Sequence, residues 1–374
     1  MAAASSSSDE TDRRFMAATI RLSRHHLGLT ATNPSVGTLI VHDDGSGTRI
    51  VGRGVTAIGG RPHAEPQALA EAGELARGAT AYVTLEPCAH HGRTPPCAEA
   101  LITSGVARVV GAASDPDPRV SGRGYAMLRE AGIEVVEKVL ADEAADLMAG
   151  YLNRSVSKRP EVTLKLAVSA DGMIGVKGKG QVAITGPEAR AQVHAMRAEA
   201  DAILAGIGTA LADDPELTCR LPGLQGRSPV RIVLDANARL PVNSKLARSA
   251  REVPVLLAAS IDADPARRTS LSECGVELIG ADLVDGRVAL PELLDDLAGR
   301  GISTLMVEGG AAVAGQFLKD GLVDRIALYS GTAAIGAAGG VPSPLSRDTI
   351  PAGFRIVREA RFGEDRYAEW TRKG

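Results

Sequence analysis

The stretch that decides the fold of the N-terminal half runs from Arg61 to Ser114 and reads RPHAEPQALAEAGELARGATAYVTLEPCAHHGRTPPCAEALITSGVARVVGAAS. Its residues 63–76 and 98–105 carry apolar side chains at helical spacing. Between and after them, AYVTL and ARVVGAAS are short apolar runs typical of buried strands. This alternation predicts a layered α/β domain in which the loops after the strands hold the polar side chains.

The segments on either side continue the alternation. A helix is predicted from Asp12 to about Leu29, and strands are predicted at Val36–His42 and Ile50–Val55, joined by the turn DDGSG. After the central stretch, RGYAMLREAGIEVVE reads as a helix and a strand, and a last helix is expected over residues 142–154. We therefore predict a first domain over residues 12–157, preceded by a small, polar and disordered tail over residues 1–11.

The basic, proline-terminated stretch SVSKRP marks the boundary, and residues 158–374 form the second predicted domain. Seven apolar runs separated by helical or Gly/Pro-rich connections predict a second α/β sheet there: VTLKLAVS, ADAILAGIG, VRIVLDA, VPVLLAAS, VELIG, STLMVEGG and DRIALYSG. The halves show no convincing repeat of each other, so the two domains look unrelated in origin.

Composition sets outer limits on the function. A chain of 374 residues suits two domains, and a net charge of −3 spread over mixed charges argues against nucleic acid as a partner. The opening residues lack the apolar centre of a signal peptide, and no segment offers about 18 uninterrupted apolar residues, so we expect a cytoplasmic protein that does not bind membranes. Four cysteines are too few for a disulfide framework.

Four side chains of the central stretch indicate a catalytic zinc site. His63 opens a predicted helix, and Cys88 and Cys97 follow the next strand, which supplies one imidazole and two thiolates as ligands. Three protein ligands leave the fourth tetrahedral position for water. Glu65, two residues after His63, is placed to move a proton from that water to a leaving group. A structural zinc, or cysteines that are only buried hydrophobes, remain the alternatives.

The order H-x-E then P-C resembles the signature of zinc-dependent nucleobase deaminases. The usual spacing between the two cysteines is two residues, whereas here eight residues, AHHGRTPP, separate them. Together with GLTATNPSVGTLIV and DPDPRVSGRG, the stretch closely resembles the deaminase half of the bifunctional riboflavin-biosynthesis deaminase/reductases, in which this long spacing occurs. The resemblance implies a cytidine-deaminase-like three-layer α/β/α domain.

The resemblance also assigns residues. It places the zinc ligands at His63, Cys88 and Cys97 and the proton-shuttling acid at Glu65. It implies further contacts to a phosphorylated pyrimidine substrate from Asn33, His90 and Arg93. The family often has a histidine seven residues before the zinc-binding one, where this chain has Thr56, so the phosphate-side contacts are expected to differ.

The second half contains no G-x-G-x-x-G fingerprint, but MVEGGAAVAGQFL predicts a strand, a glycine turn and a helix whose free N–H groups suit a phosphate. With KLAVSADG, TGPEAR and MRAEADAILAGIGTALADDPELTCR, it resembles the reductase half of the same family, a dihydrofolate-reductase-like α/β domain that uses NADPH. The implied cofactor contacts are Ala167, Thr209, Asp213, Gly310, Ala311, Ala312, Val313, Ala314, Gly315 and Gln316. The implied substrate contacts are Arg197, Leu217, Arg220 and Glu308, with Arg197 and Arg220 as clamps on the substrate phosphate. Lys165, on the first strand of this domain, is expected to assist the ribose carbonyl or Schiff-base form that accepts hydride.

One segment departs from the family pattern: where a Ser-x-Trp is common, this chain has Gln181-Val182-Ala183. The leading hypothesis is a zinc-dependent deaminase followed by an NADPH-dependent reductase, assembled as a homodimer or higher homo-oligomer. The departure keeps a second hypothesis open, in which the reductase domain is degenerate and only binds ligand or mediates assembly. A non-catalytic zinc protein and a tRNA or cytidine deaminase are further alternatives.

Overall fold

The chain, described here from a computed structural model, divides after Lys158 into two compact units. The structure describes residues 2–92, 94–117, 120–336 and 338–373, with side chains from Asp9 onward. Within these ranges no helix is long and apolar enough to cross a membrane.

The first unit is a five-stranded sheet between two helical layers. Its strands are β1 (Gly37–Asp43), β2 (Thr48–Val55), β3 (Thr80–Leu85), β4 (Arg108–Ala113) and β5 (Glu134–Val136). Its helices are α1 (Ala2–Ser23), α2 (Ala64–Ala72), α3 (Cys97–Ser104), α4 (Arg123–Glu130), α5 (Ala141–Leu147) and α6 (Ala149–Ser157). The strand order is β2-β1-β3-β4-β5, with β1 antiparallel to both neighbours and β3, β4 and β5 parallel.

Helices α1 and α5 cover one face of the sheet and pack against β1, β3 and β4. On the other face, α2 packs against β1 and β2, α3 packs against α2, and α4 packs against α3. Because both faces of the sheet are covered, β3 and β4 are buried along almost their whole length, which explains why they read as unbroken apolar runs. The predicted three-layer α/β/α fold is thereby confirmed.

Two predictions about helix boundaries are wrong. Helix α1 begins at Ala2 and ends at Ser23, where a helix from Asp12 to about Leu29 was expected, while disorder of residues 1–11 stays a prediction. Residues 2–11 contain no glycine or proline, so nothing in them stops the helix. The helix expected over residues 142–154 is two helices, interrupted at Met148, which has φ −105° and is buried in the core.

The second unit is built on a nine-stranded sheet. Its strands, including two short pairs outside that sheet, are β6 (Glu161–Val168), β7 (Met173–Val176), β8 (Ala202–Gly206), β9 (Val230–Leu234), β10 (Val255–Ala259), β11 (Glu277–Gly280), β12 (Leu283–Val284), β13 (Arg287–Val288), β14 (Thr304–Val307), β15 (Arg325–Ser330), β16 (Gly340–Pro342), β17 (Phe354–Phe362) and β18 (Asp365–Arg372). Its helices are α7 (Pro187–Glu199), α8 (Ile207–Asp213), α9 (Lys245–Arg248), α10 (Pro265–Glu273), α11 (Leu290–Gly299) and α12 (Ala311–Lys319).

The order of the large sheet is β11-β10-β9-β8-β14-β6-β15-β18-β17. All neighbours from β11 to β15 are parallel, and β18 and β17 add an antiparallel edge. Each of the seven predicted apolar runs forms one of the parallel strands. The pair β17 and β18 was not predicted, because β17 lies at the sheet edge with polar side chains exposed along most of its length.

This strand order positions the candidate reductase site. β14 returns to lie between β8 and β6, so the carboxyl ends of these three parallel strands meet at one edge of the sheet. Helix α8 begins directly after β8, and α12 begins three residues after β14. Two helix N-termini and the ends of three strands therefore face the same crevice, which is where open α/β sheets bind ligands.

Candidate active sites

The zinc ligands proposed from the sequence meet at the ends of two helices in the first unit. His63 precedes α2 as its N-cap, Cys97 is the first residue of α3, and Cys88 follows β3. His63 Nδ1 lies 3.4 Å from Cys97 Sγ and 3.8 Å from Cys88 Sγ, and the three ligand atoms all lie within 4.8 Å of one another. Among the described residues, no other group of three His, Cys, Asp or Glu side chains is close enough to hold a metal.

The donor set fits zinc. The Cys97 backbone N–H donates a hydrogen bond to Cys88 Sγ at 3.3 Å, and hydrogen bonds from Cys97 and His63 lower the pKa of the Cys88 thiol to about 4. Cys88 is therefore poised as thiolate, the form that binds metal. One imidazole and two sulfur ligands match the three-ligand arrangement of catalytic zinc.

Glu65 lies in the first turn of α2 with only 4% of its surface exposed. Burial raises the pKa of its carboxyl group above the ordinary value. A raised pKa makes the carboxylate a better proton acceptor, which suits a general acid and base. The backbone of α2 holds Glu65 at a fixed offset from the ligand His63.

The Asn33 side chain lies directly over Gly60, at the entrance to the loop that leads into His63. A Cβ added at Gly60 would come within 2.3 Å of Asn33 Nδ2, and Gly60 has φ +90°, so only glycine suits this position. Thr30 Oγ1 donates to the Asn33 carbonyl at 2.6 Å and fixes the turn. The structure thereby gives the Asn33 amide a defined place beside the loop.

The loop between the two cysteines carries the other proposed substrate contacts. His90 Nδ1 is buried and has no hydrogen-bond partner among the described residues. A buried nitrogen without a hydrogen-bond partner lowers the stability of the fold unless a ligand or water binds it. Arg93 lies outside the described residues, and His91 faces solvent near Glu99 at 3.6 Å.

Thr56, which stands where the family often has histidine, is 1% exposed and part of the scaffold. Its Oγ1 accepts the Val36 N–H at 2.9 Å, and its carbonyl lies 2.7 Å from His26 Nδ1. Because Thr56 is buried and its Oγ1 holds the backbone of Val36, the hydroxyl is not accessible to a phosphate.

Sequence analysis missed Glu86, which ties the Cys88 segment to the start of α4. Its buried carboxylate accepts the N–H groups of Gly122 and Gly124, each at 3.1 Å. A Cβ at Gly124 would lie 2.0 Å from the Pro87 carbonyl oxygen, so α4 presses directly on the backbone next to Cys88. The signal in the sequence was an acidic residue at the end of an apolar strand.

We expect Gly124→Ala to weaken zinc retention, because the new methyl group must push Pro87, and with it Cys88, out of place. Dialysis of the purified protein against increasing chelator, followed by metal analysis, measures this. Gly122→Ala is a poor control because Gly122 has φ +74°, whereas Gly299→Ala meets nothing within 4 Å and should retain zinc like the wild type. Equal zinc retention by Gly124→Ala would contradict the prediction.

In the second unit, three of the residues proposed to bind substrate form one buried cluster. Arg197 donates from Nε to Glu308 Oε1 at 2.7 Å and from Nη2 to Oε2 at 2.9 Å, and Lys165 Nζ lies 3.4 Å from Oε2. The side chains are 10 to 15% exposed. Burial alone would raise the pKa of Glu308, but the charges of Lys165 and Arg197 lower it to about 2.

The cluster changes the role expected for Arg197. Its Nη1 donates to the Thr218 carbonyl at 3.0 Å, so the guanidinium is engaged both with Glu308 and with the backbone. Arg220 is more exposed, with 49% of its side chain accessible, and makes only longer contacts to Glu216 and Thr218. Of the two arginines, Arg220 has the more accessible side chain. Leu217, beside it, is 4% exposed.

The proposed cofactor contacts surround the start of α12. Gly310 is the N-cap of α12, and its N–H donates to Thr209 Oγ1 on α8 at 3.1 Å. Val313 packs so closely on Gly206 and Gly309 that a Cβ at either glycine would lie within 2.7 Å of it. The glycines thus allow the two helix N-termini to approach each other.

The other residues proposed to contact the cofactor differ in their surroundings. Ala314 is fully buried in the core, so its side chain packs inward rather than toward a cofactor. Gln316 donates from Nε2 to the Val288 carbonyl at 3.0 Å. Ala167 packs against the aromatic cluster of Tyr329 and Tyr367, and burial raises the pKa of Asp213.

Comparison with known proteins agrees with both units. Residues 9–113 match the zinc-binding region of cytidine and deoxycytidylate deaminases, and residues 160–365 match the RibD C-terminal domain. The riboflavin biosynthesis protein RibD of Aquifex aeolicus is 40% identical over 320 residues, which is 86% of each chain. That of Escherichia coli is 39% identical over 332 residues, covering 85% of this chain and 87% of the relative. The chain belongs to the RibD family.

Solved RibD structures support the assignment. Acinetobacter baumannii RibD superposes with a TM-score of 0.84 at 34% identity, covering 98% of this chain and 100% of that one. A diaminohydroxyphosphoribosylaminopyrimidine deaminase/5-amino-6-(5-phosphoribosylamino)uracil reductase from Thermotoga maritima gives 0.84 at 34% identity, covering 97% and 99%.

Membership in the RibD family confirms the deaminase and reductase activities of the leading hypothesis, whereas assembly as a homo-oligomer stays a prediction. The protein is a bifunctional deaminase and reductase of riboflavin biosynthesis, with zinc and NADPH as its cofactors. The hypotheses of a non-catalytic zinc protein and of a tRNA or cytidine deaminase are excluded, and the degenerate-reductase hypothesis finds no support.

Proposed function

We propose that Glu65 is the proton carrier for hydrolytic deamination of 2,5-diamino-6-(5-phosphoribosylamino)pyrimidin-4-one. When bound by His63, Cys88 and Cys97, zinc supplies a Lewis acid that lowers the pKa of the attacking water. Glu65 takes one proton from that water and delivers it to the ring nitrogen, and it then carries the remaining hydroxyl proton to the amino group, which leaves as ammonia. The observation that carries this proposal is the burial of Glu65 beside the three ligands.

On the substrate side, Asn33 is proposed to recognise the pyrimidine, since its amide both donates and accepts hydrogen bonds. The unpartnered His90 Nδ1 supports a ligand contact from the loop between the cysteines. Arg93 of the same loop remains the proposed phosphate contact. Because Thr56 is part of the scaffold, binding of the phosphate depends more on the positive charge of this loop.

For the reductase half, we propose that NADPH phosphate oxygens bind at the N-terminus of α12, over Gly310 to Val313 and beside Thr209. The free N–H groups of a helix N-terminus and the positive end of its dipole suit this role. Ala167 and Asp213 remain proposed contacts of the same cofactor. Ala314, and Gln316 with its committed amide, are better explained by packing.

The ribosyl group is proposed to lie next to the Glu308 cluster. Lys165, whose Nζ lies 3.4 Å from Glu308 Oε2, donates a hydrogen bond to the ribose oxygen as hydride arrives at the neighbouring carbon. Arg220 binds the substrate phosphate, and Arg197 keeps Glu308 in place. The buried ion pair between Arg197 and Glu308 is the observation that separates these two arginines.

A coupled assay on the zinc-loaded full chain tests the proposal. With the diaminopyrimidine substrate and NADPH both present, we expect ammonia release and NADPH oxidation. Without NADPH, we expect ammonia release alone. A chelator should stop ammonia release but leave NADPH oxidation on added 5-amino-6-(5-phosphoribosylamino)uracil. Absence of NADPH oxidation on that compound would contradict an active reductase and favour the degenerate-reductase hypothesis.

We also propose a homodimer or higher homo-oligomer in the cytoplasm. The edge strand β17 supports self-association, because Ile356 and Val357 are 44% and 39% exposed on a strand with one unpaired side. Light scattering of the purified full chain should give at least twice the chain mass of 38.6 kDa. A single-chain mass at micromolar concentration would contradict the expectation.

A further inference from the structure

Arg231 is a charged residue inside an apolar strand. It lies in β9, in the run VRIVL, and none of its surface is exposed. Its neighbours in β9, Ile232 and Val233, are equally buried and belong to the core. An aliphatic side chain would be expected at such a position.

The guanidinium of Arg231 joins two segments of backbone. Nη1 donates to the Glu216 carbonyl at 3.2 Å and to Ser249 Oγ at 2.8 Å, and Nη2 donates to the carbonyls of Ser249 and Val253. All of these acceptors are uncharged. The Nε atom is buried without a hydrogen-bond partner among the described residues.

A buried guanidinium held only by neutral oxygens is costly compared with an apolar side chain of similar volume. Burial lowers the pKa of Arg231 to about 10, although Glu216 and Glu252 attract the charge through space, so the group remains cationic at neutral pH. A contribution to the stability of the fold therefore does not explain why an arginine occupies this position. Its hydrogen bonds instead specify the geometry of the backbone that they hold.

One of the two segments is residues 214–220, here called the substrate loop, which carries Leu217 and Arg220. Two of its non-glycine residues have positive φ, Asp214 at +40° and Leu217 at +53°. Such conformations cost free energy and persist only where the surroundings hold them. The substrate loop therefore needs external ties.

Two of those ties are hydrogen bonds donated by arginine side chains. Arg231 holds the carbonyl of Glu216, and Arg197 holds that of Thr218 at 3.0 Å, so the two acceptors flank Leu217. Arg197 also binds Glu308, so the same loop is connected to the buried cluster of the reductase site. Ser228 and Lys245 also bind this loop, at Cys219 and Asp214. Of the two arginines, Arg231 is the one that contacts no other residue proposed to bind substrate.

We propose that Arg231 is a positioning residue of the reductase, which sets substrate affinity by fixing the conformation of the substrate loop. The inference rests on the proposed role of Arg220 in binding the substrate phosphate. Arg231 acts through the Glu216 carbonyl and touches neither substrate nor cofactor.

Steady-state kinetics of the zinc-loaded full chain test this inference. Arg231→Lys keeps the charge but loses the bridge, and it should raise the KM for 5-amino-6-(5-phosphoribosylamino)uracil at least about tenfold. The kcat, the KM for NADPH and the rate of ammonia release by the deaminase should stay within about twofold. Should Arg231→Lys fail to fold, Arg231→Gln buries no charge and should show the same rise in KM.

Ser249→Ala is the matched control, because it removes one hydrogen bond of Arg231 and leaves the bond to Glu216. Its KM should equal that of the wild type even if its melting temperature falls. Arg220→Ala distinguishes a failure of the Arg231 inference from a failure of the proposed role of Arg220. If Arg220→Ala raises the KM and the Arg231 variants do not, Arg231 is not a positioning residue. If Arg220→Ala leaves the KM unchanged, the proposed role of the substrate loop fails, and this inference fails with it.

Discussion

Replacement of Glu65 by glutamine is expected to lower the deaminase kcat about 10²- to 10⁴-fold while the protein keeps its zinc. The glutamine amide has the size of the carboxyl group but cannot carry a proton from water to the leaving ammonia. Because Glu65 is buried and is not one of the three ligands, the isosteric change leaves His63, Cys88 and Cys97 in place. Ammonia release and metal content, measured on the same preparation, give both quantities.

Glu74→Gln serves as the control for Glu65→Gln, since Glu74 is exposed on the turn that follows the same helix. It should leave deamination unchanged. NADPH oxidation on the deaminated substrate should be normal in both variants. Loss of zinc from Glu65→Gln would mean that Glu65 holds the site together, and full activity would mean that another group moves the proton.

The second large effect is expected from Glu308→Gln. This change leaves the charges of Arg197 and Lys165 buried without their counter-charge, and removal of one partner from a buried ion pair typically costs about 3–5 kcal/mol. The displaced Lys165 and the loosened substrate loop should lower the reductase kcat/KM about 10²-fold, since small misplacements of reacting groups have effects of this size. Thermal unfolding and NADPH oxidation measure the two effects.

The pH dependence of stability gives a further check on the same residue. The pKa of Glu308 is lowered from 4.5 to about 2 in the folded state, so its contribution is present above pH 4.5 and is lost as the pH falls toward 2. Glu308→Gln should remove this part of the acid sensitivity. Glu359→Gln, which breaks an exposed pair with Arg347, should change neither stability nor its pH dependence. Equal acid sensitivity of Glu308→Gln and wild type would contradict a buried ionic cluster.

Periodicity predicted most of the fold because strands such as β3, β4, β8 and β10 are buried on both faces and therefore read as apolar runs. It missed β17, whose side chains are exposed at the edge, and the break at Met148, which no glycine or proline marks. Both omissions have the same cause. Where an element is exposed or interrupted by packing, the local sequence carries no strong pattern.

The roles within the reductase cluster show a different limit. Arg197 and Arg220 look alike in the sequence, and both were expected to clamp the phosphate. Their difference arises because Glu308, 111 positions away from Arg197, is brought against it by β14, while Arg220 stays at the exposed end of the substrate loop. Arg231 was visible as a charge in an apolar run, but its partners were not.

By itself, the sequence determined the zinc ligands proposed at His63, Cys88 and Cys97 and the acid at Glu65, because short spacings place them at the ends of neighbouring elements. It also determined the two α/β domains, since burial of each strand imposes a local pattern. Only the tertiary structure decided which charges are paired. Lys165, Arg197 and Glu308 lie on elements far apart in the chain, and their contacts exist because parallel strands assemble in an order that no local pattern specifies.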